Sequence, residues 1–284
     1  MNHRHERVQS PGVAKNRERI GVVYVTYRPG DDLARSLQLL LGSKGVGIDL
    51  EVTVVDNSGG IGAAEIVSVI NRYGVRLVQN KRNIGFGPAV NIATRLSDRR
   101  LVLILNPDVA IDKANIKVLI DCMEEHGAVA VSPRLVYPDG QLQLSCRNFP
   151  NWRTIVGRRL FTTARIRAAV DRHLMKAYDH MRPMAVDWCL GACILIDLAS
   201  LGEKEVFDER FFLYMEDVDL GYRFRLEHKT WFYCPAATAQ HLYRRESKEG
   251  FINWTTIHHL KSAWKFFHKH GFSLIWENTQ TPAR

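Results

Sequence analysis

Leu101-Val102-Leu103-Ile104-Leu105-Asn106-Pro107-Asp108-Val109 is the stretch on which the fold turns. Five apolar residues in succession make a strand buried on both faces, not on one. Pro107 cannot extend that strand, so it ends there and a carboxylate follows directly. Upstream, residues 20–27, 50–56 and 75–79 are short apolar runs of the same β-rich kind. Helix-compatible stretches separate them at 33–41, 63–73 and 88–96, and another follows at 116–125. Strands alternating with helices predict an α/β fold, a mostly parallel sheet flanked by helices on both faces. Right-handed crossovers bring the strand C-termini to one edge, where ligands of open α/β sheets collect. The residues expected at that edge are Thr26-Tyr27-Arg28, Asp56-Asn57-Ser58, 80–87 and Asn106-Pro107-Asp108.

The whole chain of 284 residues, 46% hydrophobic and 24% charged, has the composition of a folded protein and excludes extended disorder. It holds no run of eighteen apolar residues, so no spanning helix is expected. Residues 1–19 are charged and polar and read as a leader, not a secretory signal. The five cysteines are scattered without a CxxC pair, which argues against a zinc site or a disulfide framework and for a cytoplasmic, reducing compartment. A formal net charge of +9 invites nucleic acid, an anionic membrane face or a phosphate-bearing substrate. The basicity lies late: residues 153–182 carry only Asp171 and Asp179 as acids, and 252–272 carry Lys261, Lys265 and Lys269 with no acid.

Beyond Asp108 the rhythm changes. Residues 128–137 read as a strand and Pro138-Asp139-Gly140 as the turn of a hairpin with 141–145. Residues 151–181 are basic and helical with loops, and 186–198 are strand-like around Gly191. An acidic cluster at a strand-to-helix boundary occupies 211–227, with a strand at 230–234 and a helix at 251–270.

Three features carry chemistry. Asp108 stands where a rigid strand would aim a carboxylate at the ligand edge, and Mg²⁺ or Mn²⁺ on a diphosphate needs only one or two protein oxygens. Asn-Pro-Asp is also an ordinary turn. Glu216-Asp217-Val218-Asp219 packs three carboxylates beside a helix start. Like charges so close raise at least one pKa, which suits a general base, though the same cluster could cap the helix and pair with Arg223 and Arg225. His241 follows the strand at 230–234 and a Pro-Ala-Ala turn, as a ligand or as a structural histidine. The glycine runs at 59–62 and 85–87 fit neither a GxGxxG nor a P-loop pattern, which weakens dinucleotide and ATPase readings.

In their order these pieces resemble the inverting glycosyltransferases of family 2. The matching stretches are 22–27, 54–58, 83–87 with Asn91, 105–109, 191–196 and 211–225; 186–192 and the helix at 254–268 are similar to bacterial rhamnosyltransferases acting on polyprenyl-diphosphate N-acetylglucosamine. The resemblance implies a GT-A fold, Rossmann-like with a mixed C-terminal acceptor-binding portion. It divides the chain into a leader (1–19), a transferase domain (20–250, with a nucleotide-sugar half at 20–110 and an acceptor half at 111–250) and a basic amphipathic helix with tail (251–284). It puts Asp56 on the pyrimidine base, with Thr26, Tyr27 and Asn57 lining the pocket. Gly85, Gly87, Asn91 and Asn106 come to lie along the nucleotide sugar. Asp108 and His241 become metal ligands and Asp217 the catalytic base, with Glu216 next in line. Trp188, Asp219 and Arg223 fall on the acceptor side. Asn106 departs from the acidic first position of the family's Asp-x-Asp signature, removing one negative charge from the metal site.

The implied reaction moves L-rhamnose from dTDP-rhamnose to a polyprenyl-diphosphate sugar in cell-wall or surface polysaccharide assembly, with Mg²⁺ or Mn²⁺ as cofactor. A UDP-hexose donor is the rival within the family; a non-catalytic nucleotide- or RNA-binding protein is the rival outside it. In 251–270, Ile257, Leu260, Trp264 and Phe267 share one helix face and the three lysines another. That pattern serves either packing on the main domain or an interfacial helix at an anionic membrane. The expected partners are a nucleotide sugar, a lipid-diphosphate saccharide, the inner membrane face and a second copy in a homodimer. Nucleic acid is not expected, since no base-reading pattern is present.

Overall fold

The computed structural model describes residues 18–27, 31–43, 47–151, 154, 163–202, 204–242 and 254–271. The leader up to residue 17, the tail from 272 and much of the basic stretch at 152–162 lie outside them. Four parallel strands form the first half: β1 (Glu18–Thr26), β2 (Ile48–Asp56), β3 (Arg76–Gln79) and β4 (Leu101–Leu105). They stand in the order β3-β2-β1-β4, so the chain reverses direction across the sheet between β1 and β4. A crevice opens at such a switch point. Strand residues alternate between two cores, which is why the runs are apolar throughout. Val22, Tyr24, Val54 and Leu103 pack under α1 (Asp31–Gly42), α2 (Ala63–Tyr73) and α4 (Lys113–His126). Val23, Val55, Val102 and Ile104 face α3 (Phe86–Arg95), α6 (Glu216–Leu226) and α7 (Trp254–His270). Each such side chain, fully buried, contributes about 1.5–3 kcal/mol.

The second half extends the same sheet. β11 (Cys193–Asp197) runs antiparallel to β4, followed by β6 (Ala130–Val136), β12 (Trp231–His241) and β5 (Val109–Ala110). β6 turns through 138–140 into β7 (Leu142–Gln143), the expected hairpin. β9 (Met184–Val186) pairs with β12, and α5 (Ala164–His173) lies in the basic stretch. The strand-like run at 186–198 is divided: β10 (Trp188–Cys189) pairs with β8 (Cys146–Arg147) in a separate ribbon, and Leu190-Gly191-Ala192 carries the chain to β11.

Two expectations need correcting. Residues 211–215 are no strand; Tyr214 and Met215 adopt left-handed φ values of 65° and 70°, which breaks any extended ladder before α6. The strand expected at 230–234 does not stop at its Pro-Ala-Ala. It absorbs the proline as a bulge between Cys234 and Thr238 and continues to His241.

Candidate active site

The edge beyond β1, β2 and β4 is held by backbone contacts that leave selected side chains for a ligand. Asp56, at the end of β2, is fully buried; its Oδ1 accepts the Ser58 N–H at 2.8 Å, while Oδ2 has no protein donor. A buried carboxylate oxygen without a donor is costly unless a ligand N–H fills the position. Thr26 is buried beside it at the end of β1 and Tyr27 is exposed. Asn57 clamps the next loop: its Nδ2 donates to Gly85 O at 2.8 Å and its Oδ1 accepts from Asn80 Nδ2 at 2.8 Å. Gly85 has φ of 100°, and a Cβ there would lie 2.5 Å from Phe212 O. The glycine therefore lets the 83–87 loop meet the 211–215 loop, joined by Phe86 N–H to Phe212 O at 3.0 Å.

Beyond β4, Asp108 meets His241 because β5 and the end of β12 pair Val109 with His241. His241 Nε2 lies 3.2 Å from Asp108 Oδ2, and Nδ1 lies 2.8 Å from Gln143 Oε1. An amide oxygen only accepts, so Nδ1 carries the proton toward Gln143 and Nε2 turns its remaining valence to the carboxylate. The carboxylate oxygen and the ring nitrogen thus face one another. A carboxylate and an imidazole with an oriented far nitrogen form a fitting two-ligand donor set for Mn²⁺ or Mg²⁺. Among the described residues no group of three potential ligands converges, so phosphate and water oxygens would complete the shell.

The acidic cluster divides by burial. Asp217 is half-buried in the first turn of α6; its Oδ2 accepts the Gly191 N–H at 3.1 Å and its Oδ1 the Val218 N–H at 2.9 Å. Burial pushes its pKa up to about 6, opposed by those N–H groups and by the charge of Arg147. Glu216 is buried with Oε2 lacking a protein partner, and burial together with the charge of Asp217 drives its pKa well above the usual carboxylate range. Ala192 O accepts the Asn106 N–H at 2.9 Å. A single strap, Gly191-Ala192, thus hydrogen-bonds to Asp217 on one side and to the segment leading into Asp108 on the other.

Other sequence-derived candidates lie elsewhere. Asp219 is wholly buried and receives Lys269 Nζ at 2.7 Å, His270 Nε2 at 2.6 Å and Arg223 Nε at 3.2 Å, fastening α7 to α6. Arg223 also donates to the carbonyls of Glu205 and Val206. Trp188 is buried in the core, its indole N–H on Asn148 O at 3.1 Å. All three are engaged by the protein, and Asp219 and Trp188 are buried as well. Asn91 is fully buried, and its amide brackets Phe207 through O at 2.8 Å and N at 3.1 Å, so it positions the loop at Phe207. Gly87 likewise faces Phe207, whose Cβ would lie 3.0 Å from an added methyl. Gln143 and Arg147 escaped the sequence reading; each sits on a two-residue strand with no pattern to mark it.

The profile described as Glycosyl transferase family 2 matches residues 22–184. The N-acetylglucosaminyl-diphospho-decaprenol L-rhamnosyltransferase of Mycobacterium tuberculosis is 30% identical over 267 residues, 86% of this chain and 82% of that protein. The rhamnosyltransferase WbbL of Escherichia coli is 26% identical over 64% of this chain and 69% of its own. The low-salt glycan biosynthesis hexosyltransferase Agl10 of Haloferax volcanii is 25% identical over 78% of this chain and 66% of its own. Among solved structures, GalNAc-T7 with UDP, GalNAc and Mn²⁺ superposes with a TM-score of 0.62 at 14% identity, covering 89% of this chain and 48% of that one, a likeness of fold.

Proposed function

This chain belongs to glycosyltransferase family 2, and from that premise we propose that it moves L-rhamnose from dTDP-rhamnose to a sugar on a polyprenyl diphosphate. The observation that carries the reading is the Gly191-Ala192 strap, which ties Asp217 to the segment bearing Asp108 at one sheet edge. The similarity to a rhamnosyltransferase over 86% of the chain supports the sugar and the lipid acceptor. A hexosyltransferase relative supports keeping a second reading, a hexose donor other than rhamnose, for which the UDP-hexose of the sequence analysis is the candidate.

Asp56 Oδ2 accepts the imide N–H of the pyrimidine. A divalent cation held by Asp108 and His241 would supply charge neutralisation to the departing diphosphate. Asp217, ionised above about pH 6, takes the proton of the acceptor hydroxyl as that oxygen attacks C1. The bond from C1 to the diphosphate breaks on the opposite face, so one displacement inverts the anomeric centre without a covalent intermediate. Glu216, buried beside it with its pKa held well above the usual carboxylate range by burial and the charge of Asp217, is the weaker candidate for that role. A membrane-bound acceptor also requires the enzyme to work at the inner membrane face.

The test is thermal stability against dTDP-, UDP- and GDP-sugars with and without Mn²⁺. A ligand at a hundred times its Kd adds ~2.7 kcal/mol. We expect the largest rise with dTDP-rhamnose and Mn²⁺. A larger rise with a UDP-hexose would move the donor to the second reading, and no rise with any would overturn the proposal.

A further inference from the structure

Helix α7 has one face fixed to the domain and one left open. On the fixed face Ser262, Ala263, Phe266 and Phe267 are buried, and Ser262 Oγ donates to Leu213 O at 2.8 Å. Lys269 reaches both Asp208 and Asp219 at 2.7 Å, and His270 reaches Asp219. These contacts set the rotation of the helix about its axis. The open face is the apolar stripe of the sequence: Ile257, Leu260 and Trp264 are 42%, 47% and 60% exposed, and only Phe267 of that set is buried. Turning the stripe inward would tear Lys269 and His270 from a wholly buried carboxylate, so its exposure is built into the fold.

The flanks of the stripe decide what it meets. Lys261, Lys265 and His268 are exposed around it, the His268 ring stacks on Trp264 at 5.1 Å, and residues 254–271 contain no acid. We infer that this face of α7 docks on an anionic phospholipid surface, with Ile257, Leu260 and Trp264 at the headgroup level and Lys261 on lipid phosphates, Lys265 being turned to Arg210 O at 2.6 Å on the flank. An apolar stripe carrying an aromatic residue and bordered by lysines fits such an interface. A second copy of the chain would instead bring like charges together. No helix among the described residues is long and apolar enough to cross a membrane, so the contact is lateral. On its fixed face Ser262 holds Leu213, in the loop before Glu216 and Asp217, so the helix that carries the open stripe also contacts the loop that leads into the site. The inference rests on the lipid-acceptor reading for its purpose and on the α7 face for its chemistry.

The test is sedimentation of the full chain with vesicles of phosphatidylcholine alone or mixed with phosphatidylglycerol. Binding should need phosphatidylglycerol and weaken with salt. Lys261→Gln should lower the partition about fivefold and Trp264→Ser more than about tenfold, with melting temperature and dTDP binding unchanged. Failure of the unaltered chain to bind, equal binding by Trp264→Ser, or a dimer dispersed by that substitution would overturn the inference. Transfer to a water-soluble, short-chain diphosphate acceptor separates the two readings. If transfer proceeds without vesicle binding, docking alone falls; if vesicles bind and no transfer occurs, the acceptor reading falls.

Discussion

Asp217 and Asp219 stand two residues apart on α6 and have opposite fates. One keeps a half-open carboxylate beside Gly191; the other is sealed under Lys269 and His270. The chain alone could not separate them, because the distinguishing partners lie 26 and about 50 residues away and burial is a tertiary property. For Asp217→Asn we expect turnover to fall by ~10²–10⁴ while calorimetric dTDP binding persists. The pH dependence follows from a raised pKa. The base acts only when ionised, so kcat should climb as pH rises through about 6 and level off above it. For folding the sign is opposite: stability from the neutral carboxyl is full below the ordinary value of 3.8 and is lost as pH rises through about 6. An acidic limb centred near pH 4 would argue that Asp217 is not the base. At the metal pair, Gln143→Ala frees the His241 ring, and the Mn²⁺ concentration for half-maximal rate should rise 10- to 100-fold, roughly the cost of losing an orienting partner. The edge positions of Asp56 and Asp108 were legible because one ends an apolar strand and the other stands just past the Asn-Pro that closes one. Gln143 and Arg147 were not, since two-residue strands have no period to read.

Among elements, α6 shows how packing overrides local preference. Gly221 lies inside that helix, where alanine would be favoured by ~1 kcal/mol. A Cβ there would sit 2.3 Å from Asp187 O and 2.8 Å from Trp188 Cβ, and overpacking costs about 1–3 kcal/mol or more. The steric term wins, so Gly221→Ala should lower the denaturant midpoint and, by shifting α6 against β10, reduce kcat. A stabilised variant would mean that β10 moves freely away from α6. The joint between α6 and α7 makes a larger claim. Replacing Asp219 by alanine leaves Lys269 and His270 without their buried acceptor and should cost roughly 3–5 kcal/mol, read as a fall in melting temperature. The helix expected at 251–270 is present over Trp254–His270, residues 251–253 lying outside the described ones, and of the two possible roles for its apolar stripe the structure leaves the stripe open rather than packed. The tie to Asp219 selects the face, and an ion pair of that sequence separation leaves no trace in periodicity.

The molecule as a whole is a sheet whose edge concentrates polar side chains at a switch between β1 and β4. That architecture was legible from Leu101–Leu105 and its neighbours, since a strand apolar on both faces has few alternatives. The antiparallel insertion of β11 beside β4 was not, because it depends on a long-range return of the chain. Yet this insertion supplies the Gly191-Ala192 strap, which hydrogen-bonds to Asp217 on one side and to Asn106 on the other. The central claim is that Asp108, His241 and Asp217 serve one bound nucleotide sugar. Anomalous diffraction at the manganese edge, from crystals grown with dTDP and Mn²⁺, tests it directly. The account predicts one peak roughly 2.0–2.2 Å from Asp108 Oδ2 and His241 Nε2, sharing the dTDP diphosphate on the side facing Asp217, with the thymine on Asp56. Manganese bound away from that pair, or a diphosphate turned away from Asp217, would contradict it.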